Sequence, residues 1–261
     1  MVTTTTTYRL LTRDLNRSLQ RTSAEKPVAL ETDYYLKNIG SIKSVDDFLK
    51  NTRLFNYAMK AFGLEDMAYA KAFMRKVLTE GVSDSKSFAN RLNDERFVQF
   101  ATAFNFAANG ADTTASTTTG QAVVDRYVRQ TLETEAGADN EGVQLALYFQ
   151  REAPNVKSAY TLLGDAALWK VVQTVYGFPD EMASADIDKQ AAAVSARLDI
   201  GTLKDPAKLD QLLTRFTAVW DANQATTDPI LALFDSSSSA ASADIDLNLV
   251  MTLKSLKHGG A

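Results

Sequence analysis

The stretch NTRLFNYAMKAFGLEDMAYAKAFMRKVLTEGVSDSKSFANRL, Asn51 to Leu92, decides the fold. Leu54, Phe55, Ala58, Met59 and Phe62 recur at three- and four-residue spacing, which places them on one side of a helix. Gly63 follows the last of them and supplies the left-handed cap that a side chain with a Cβ resists. Glu65 and Asp66 then suit the positive end of a second helix, predicted to bury Met67, Ala70, Phe73, Met74, Val77 and Leu78. Gly81 stops it, and Ser83 is the expected cap of a third helix that carries Phe88 and Leu92.

A similar design returns about 120 residues later, a self-similarity that marks an internal repeat. LWKVVQTVYGFPDEM, Leu168 to Met182, repeats the order of LFNYAMKAFGLEDM, Leu54 to Met67: bulky pair, apolar stripe, aromatic, glycine, acidic turn, methionine. Each is followed by a helical pattern ending near a glycine, Gly81 or Gly201, and then by Asp84 or Asp205 ahead of another helix. The expectation is an all-α, multi-helix bundle built from a duplicated helical unit, with amphipathic terminal segments.

Working outward, residues 1–27 form an amphipathic N-terminal tail and linker. Tyr8, Leu11, Leu15 and Leu19 make its stripe, and the sequence TSAEKP sets it apart. Such a segment either finds a partner elsewhere or packs back on its own domain. The helical domain is expected over 28–234, with halves at about 28–108 and 121–234. Tyr34, Tyr35, Leu36 and Ile39 share one helix, and Ser44 with Asp47 starts the next. Asn93 or Asp94 caps a helix bearing Phe97, Phe100, Ala101, Phe104 and Phe106, which are read as core. The polar run Asn109 to Gly120 is a mobile connection between the halves. Val124, Tyr127, Val128 and Leu132 line a helix from Gln121 to Glu135, and Glu141 to Glu152 forms the next, ended by Pro154. Asn155, Asp165 and Ser184 are caps, and Asp205-Pro206 starts a helix carrying Leu209, Leu213, Phe216 and Trp220. Asp228-Pro229 repeats that device. Residues 235–261 comprise a linker, Ser236 to Ala243, and a C-terminal amphipathic segment, Ile245 to Leu256, with Leu249, Val250 and Leu253 on its stripe.

Composition narrows the chemistry. The net charge of −4 over 261 residues argues against a sequence-independent grip on nucleic acid, which needs clustered lysine and arginine. No stretch of about 18 apolar residues is present, so no membrane-spanning helix is expected. The N-terminus MVTTTTTYRLL lacks the basic-then-apolar pattern of a signal peptide, which leaves the cytoplasm or export by another route. With no cysteine and one histidine, thiol nucleophiles, disulfides and thiolate metal sites drop out. His258 sits beside Gly259 and Gly260 and reads as a solvated tail residue. Asp186 with Asp188, and Asp244 with Asp246, are spaced so that they diverge on a helix and serve as caps and first-turn charges. Glu133, Glu135, Asp139 and Glu141 lack the alternating ligands and central glycine of a helix–loop–helix calcium site and read as a solvated helix end. Trp169 and Trp220 lie on apolar stripes. No catalytic, cofactor-binding or metal-binding residue is assigned, and no cofactor is expected.

The runs RLFNYAMKAFGLEDMAYAKAFMRKVLTEG, VVDRYVRQTLETEAG, EGVQLALYFQREAPN, SADIDKQAAAVSARLDI and DPAKLDQLLTRFTAVWDA resemble a bacterial domain-of-unknown-function family encoded among flagellar genes in alphaproteobacteria. The resemblance spans Tyr35 to Ala222. It implies an all-helical domain, a flagellum-associated role and a partner that is another flagellar protein; it transfers no site residue. Two classes of function follow as expectations. One is a non-enzymatic structural or assembly component, exported or acting as an adaptor or chaperone that offers a helical groove. The other is an enzyme whose site uses carboxylates, tyrosines or lysines alone.

Overall fold

In a computed structural model the chain is all-α, and among the described residues, 2–92 and 94–226, there is no strand. The helices are α1 (Thr4–Thr12), α2 (Leu15–Ala24), α3 (Lys26–Asn38), α4 (Val45–Lys50), α5 (Thr52–Ala61), α6 (Lys71–Glu80), α7 (Phe88–Arg91) and α8 (Glu95–Ala103). They continue with α9 (Phe106–Asn109), α10 (Gln121–Asp139), α11 (Glu141–Glu152), α12 (Ala159–Gly164), α13 (Ala166–Tyr176), α14 (Ile187–Ser195) and α15 (Pro206–Thr226). One compact unit runs from Met1 to Asp221; residues from Ala222 onward form a second, of which 222–226 are described, as helix. Asp228-Pro229, the Ser236 to Ala243 linker, the Ile245 to Leu256 stripe, Asp244, Asp246 and His258 lie outside the described residues.

Two hydrophobic cores share the compact unit. The first gathers α3 to α9 around Phe48, whose ring meets those of Phe55, Phe100, Phe104 and Phe106 at centroid distances of 5.6, 6.4, 4.7 and 6.1 Å. Rings at such separations add edge and offset-stacking attraction to the burial of their large surfaces. The second core gathers α11 to α15. The division does not fall at the polar connection, as the sequence predicts, but inside α10. Val123, Val124, Tyr127 and Val128 pack into the first core, whereas Ala136, two turns on, packs against the second. Nor is the connection a loose one. Gly110–Ala115 is a 3₁₀ turn, Thr114 donates its hydroxyl to the Ile42 carbonyl at 2.7 Å, and Tyr35 donates to the Thr119 carbonyl at 2.6 Å. Threonine hydroxyls buried with partners hold a segment that composition alone marks as mobile.

The N-terminal segment is likewise part of the compact unit rather than a tail over 1–27. Tyr8 is 1% exposed and sits in the second core, while Leu19 of α2 packs on the first. What holds α1 down is also electrostatic: the Asp221 carboxylate accepts the backbone N–H of Thr4 at 2.7 Å and of Thr5 at 3.1 Å. An anion at a helix N-terminus satisfies free donors and meets the positive end of the dipole. The sequence shows the stripe of α1 but not this receptor, which lies more than 200 residues away.

The repeated motif has matched backbone geometry. Gly63 and Gly177 adopt φ of 66° and 63°, and each helix closes with the same six-residue hydrogen bond, Leu64 N–H to Met59 O at 2.9 Å and Phe178 N–H to Gln173 O at 3.0 Å. This is the hydrogen bond of a glycine-terminated helix end. A 3₁₀ turn follows each, Glu65–Met67 and Asp180–Ser184. After Gly63 this turn displaces the start of the next helix from Glu65 to Lys71, so Met67 and Ala70 precede α6 instead of lying in it. Three caps also move. Ser87 rather than Ser83 precedes α7, Ser158 rather than Asn155 caps α12, and Asp186 rather than Ser184 caps α14. The caps Ser44, Asp94, Asp165 and Asp205 stand where the sequence places them.

Candidate functional site: the groove between α8, α11 and α12

Where the two cores meet, a groove of about 990 Å³ opens to solvent. Its walls come from the turn at Gly63, the start of α8, the outward face of α11, and α12 with the start of α13. α11 exposes this face because Val143, Ala146, Leu147 and Phe149 take its apolar stripe inward, leaving Glu141, Gln144, Leu145 and Tyr148 toward the opening.

Charges at the floor neutralise one another. Glu133, with a side chain 1% exposed, accepts from Arg129 Nε at 2.7 Å and from Arg151 Nε and Nη2, each at 2.9 Å. Arg151 also bonds the Gln130 amide oxygen and pairs with Glu152. Gln99 donates to Glu152 at 3.4 Å and accepts from Arg126 at 3.1 Å, which extends the chain to the first core. Burial disfavours the Arg151 charge, but the hydrogen bonds and charge of Glu133 outweigh it and hold its pKa above the ordinary arginine value. Nearer the mouth, Arg96 pairs with Asp94 and donates to the carbonyl of Gly63, joining the glycine turn to α8.

Tyr148 donates to Asp165 Oδ2 at 2.6 Å, while Oδ1 of the same carboxylate accepts the N–H groups of Ala167 and Leu168 and caps α13. Burial, then the charge of Asp165 and the hydrogen bond to it, push the Tyr148 phenol far above its usual pKa. The phenol therefore stays protonated and is unsuited to act as base or nucleophile. At the rim, Tyr160 is 52% and Ile187 49% exposed; the Tyr160 hydroxyl donates to Asp188 at 2.7 Å.

The acidic residues grouped in the sequence part company here. Glu133 is buried between two arginines, not at a solvated helix end, because α10 is packed on several sides by α2, α5 and α11. Glu135 faces Glu25, and Glu141 enters the groove. Asp186 caps α14 through the Asp188 N–H at 2.9 Å, and Asp188, a first-turn charge as predicted, additionally holds Tyr160. Trp220 is buried and Trp169 half-buried against Phe178, both in or on the second core. Arg129 and Arg151 carry no signature in the sequence beyond the four-residue spacing of Arg129 and Glu133 within an apolar stripe.

The fold, then, is that of an all-helical protein with a polar-floored groove between two cores. The chain belongs to the family of proteins of unknown function DUF1217, whose profile matches residues 61–209. It is similar to protein AGR_C_984 from Agrobacterium tumefaciens, known from a crystal structure. The two are 50% identical, with a TM-score of 0.79 over 85% of this chain and 97% of that one. No curated protein matches it. Among the described residues no helix is long and apolar enough to cross a membrane.

Proposed function

We propose that this protein is a non-enzymatic component of the flagellum or of its assembly, and that it works by binding another protein in the groove between its two cores. The observation that carries the binding reading is the groove itself. Its floor charges are consumed in mutual pairs, its tyrosine is held protonated, and its rim presents Tyr160 and Ile187 to solvent. Paired charges supply shape and register, and exposed apolar side chains supply contact area, which is what a docking surface needs. The flagellar setting rests on the resemblance of the sequence runs between Tyr35 and Ala222. The matched helix ends at Gly63 and Gly177 support descent from a duplicated unit.

The seating of α1 favours an adaptor over an exported part that orders its ends on assembly, since Tyr8 and Thr4 already have their places. A photocrosslinking amino acid at Tyr160, with fractionation of basal bodies, culture supernatant and cytosol from export-competent and export-deficient cells, tests both points. An adaptor gives a crosslink to a flagellar protein and remains in the cytosol of both strains. Release to the supernatant only in export-competent cells would replace the adaptor by the exported part. Absence of any crosslink to a flagellar protein would overturn the proposal.

A further inference from the structure

We infer that the groove takes a basic amphipathic helix of the partner protein; this rests on the binding reading above. The first argument is charge. Among the described lining residues Arg96 is the one cation, against Asp94, Glu95, Glu133, Glu141, Glu152 and Asp165. Arg129 and Arg151 neutralise Glu133 and Glu152 at the floor, and Arg96 neutralises Asp94. Toward the mouth the balance is negative. Among the described residues Glu141 takes part in no ion pair, and Glu95 meets the exposed Lys157 at 3.6 Å, while the Asp165 charge is shared with Tyr148 and felt by Arg96. A partner carrying lysine or arginine at these positions meets complementary potential, and an acidic one is repelled.

The second argument is size. A helix about 10 Å across that rises 1.5 Å per residue fills about 120 Å³ per residue. The groove of about 990 Å³ has room for roughly two turns. The third is the arrangement of apolar groups. Leu145 of α11, Leu163 and Tyr160 of α12, and Ile187 of α14 add apolar surface to the same lining. A ligand with one apolar and one basic face meets both kinds of surface, the pattern of a helix laid in a groove.

The test uses the full chain and three synthetic helices of about 18 residues, long enough to hold helical structure in water. They share a leucine face and carry lysine, glutamine or glutamate on the other, with binding read by fluorescence anisotropy. The lysine peptide is expected to bind most tightly. Glu95→Gln with Glu141→Gln is expected to weaken it about fivefold, since each exposed pair contributes a fraction of a kcal/mol to about one. Raised salt weakens it as well, and Ile187→Ser lowers binding of all three peptides. Thermal unfolding of each variant confirms that these exposed substitutions leave the fold intact. Equal binding of lysine and glutamate peptides, indifference to the glutamine variant, or no binding at all would overturn the inference. The crosslink at Tyr160 separates the two readings: a flagellar partner captured through an acidic or non-helical segment ends this inference and leaves the adaptor standing.

Discussion

The carboxylate of Glu133 lies between Arg129, 2.7 Å away on its own helix, and Arg151, 2.9 Å away on α11, at the level where α10 passes from one core to the other. The two cores are therefore joined by a buried ion triad, and its removal exposes what that joint contributes. Glu133→Ala leaves two guanidiniums in a desolvated site and is expected to cost about 3 to 5 kcal/mol, the range for breaking a buried pair. The triple change Arg129→Met, Glu133→Leu, Arg151→Met is expected to recover part of that stability, because the desolvation cost of the triad goes with its charges while Glu152 loses its Arg151 partner. Urea unfolding of the two variants against the parent decides it. A single variant as stable as the parent would show the triad to be dispensable.

Asp221 gives a pH-dependent prediction. Burial raises its pKa, but the hydrogen bonds from Thr4 and Thr5 overcome this and hold it below the ordinary carboxylate value. A depressed folded-state pKa contributes stability that is present above the unfolded value and is lost as pH falls through the folded one. Asp221→Ala should cost about 1 kcal/mol at pH 7, typical of a lost helix cap. The gap between parent and variant should close as pH falls below about 3.8. Hydrogen exchange of the α1 amides locates the effect: they should lose protection ahead of the α5 amides.

The opposite sign is expected at Glu135. Partial burial and the neighbouring Glu25 carboxyl raise its pKa above the usual glutamate value. The folded chain then holds this proton more tightly than the unfolded one, so its contribution to stability declines as pH rises above about 4.5. Glu135→Gln should raise Tm at pH 7 and leave it unchanged near pH 4. A Tm difference that does not vary with pH would contradict the pairing.

Gly142 tests packing at the second core. A Cβ placed there would stand 2.5 Å from the Trp220 ring, so Gly142→Ala must shift an indole that is already buried. Overpacking of this kind costs about 1 to 3 kcal/mol, against a gain of under 1 kcal/mol in helix propensity. Net destabilisation with altered tryptophan emission is expected. Gly110→Ala, where no atom lies within 4 Å, is the control for space but not for backbone, since its φ is 52°.

How much of this was legible in the sequence differs from residue to residue. Periodicity located α5, α8, α10 and α11, and it placed Phe55, Phe100 and Trp220 in cores, because burying an apolar stripe is a local consequence of helical geometry. Cap residues such as Ser44, Asp94 and Asp205 were legible for the same reason: each bonds within three residues of itself. Met67 and Ala70 were misplaced because acidic residues after a glycine suit a 3₁₀ turn as well as a helix start. Of the groove, the sequence showed the apolar stripe of α11 but not that its other face would meet α8 and α12.

The sequence by itself determined that the chain is helical, that helices stop at Gly63, Gly81 and Gly177, and which apolar stripes turn inward. These depend on propensity, capping and spacing, whose interactions span only a few residues. The tertiary structure alone decided that Glu133 is buried, that α1 is seated by Asp221, that the polar segment from Asn109 to Gly120 is held by threonine hydroxyls, and that a groove separates the two cores. Each of these sets side chains against groups on helices distant in the chain, and a carboxylate has the same sequence signature whether it meets water or arginine.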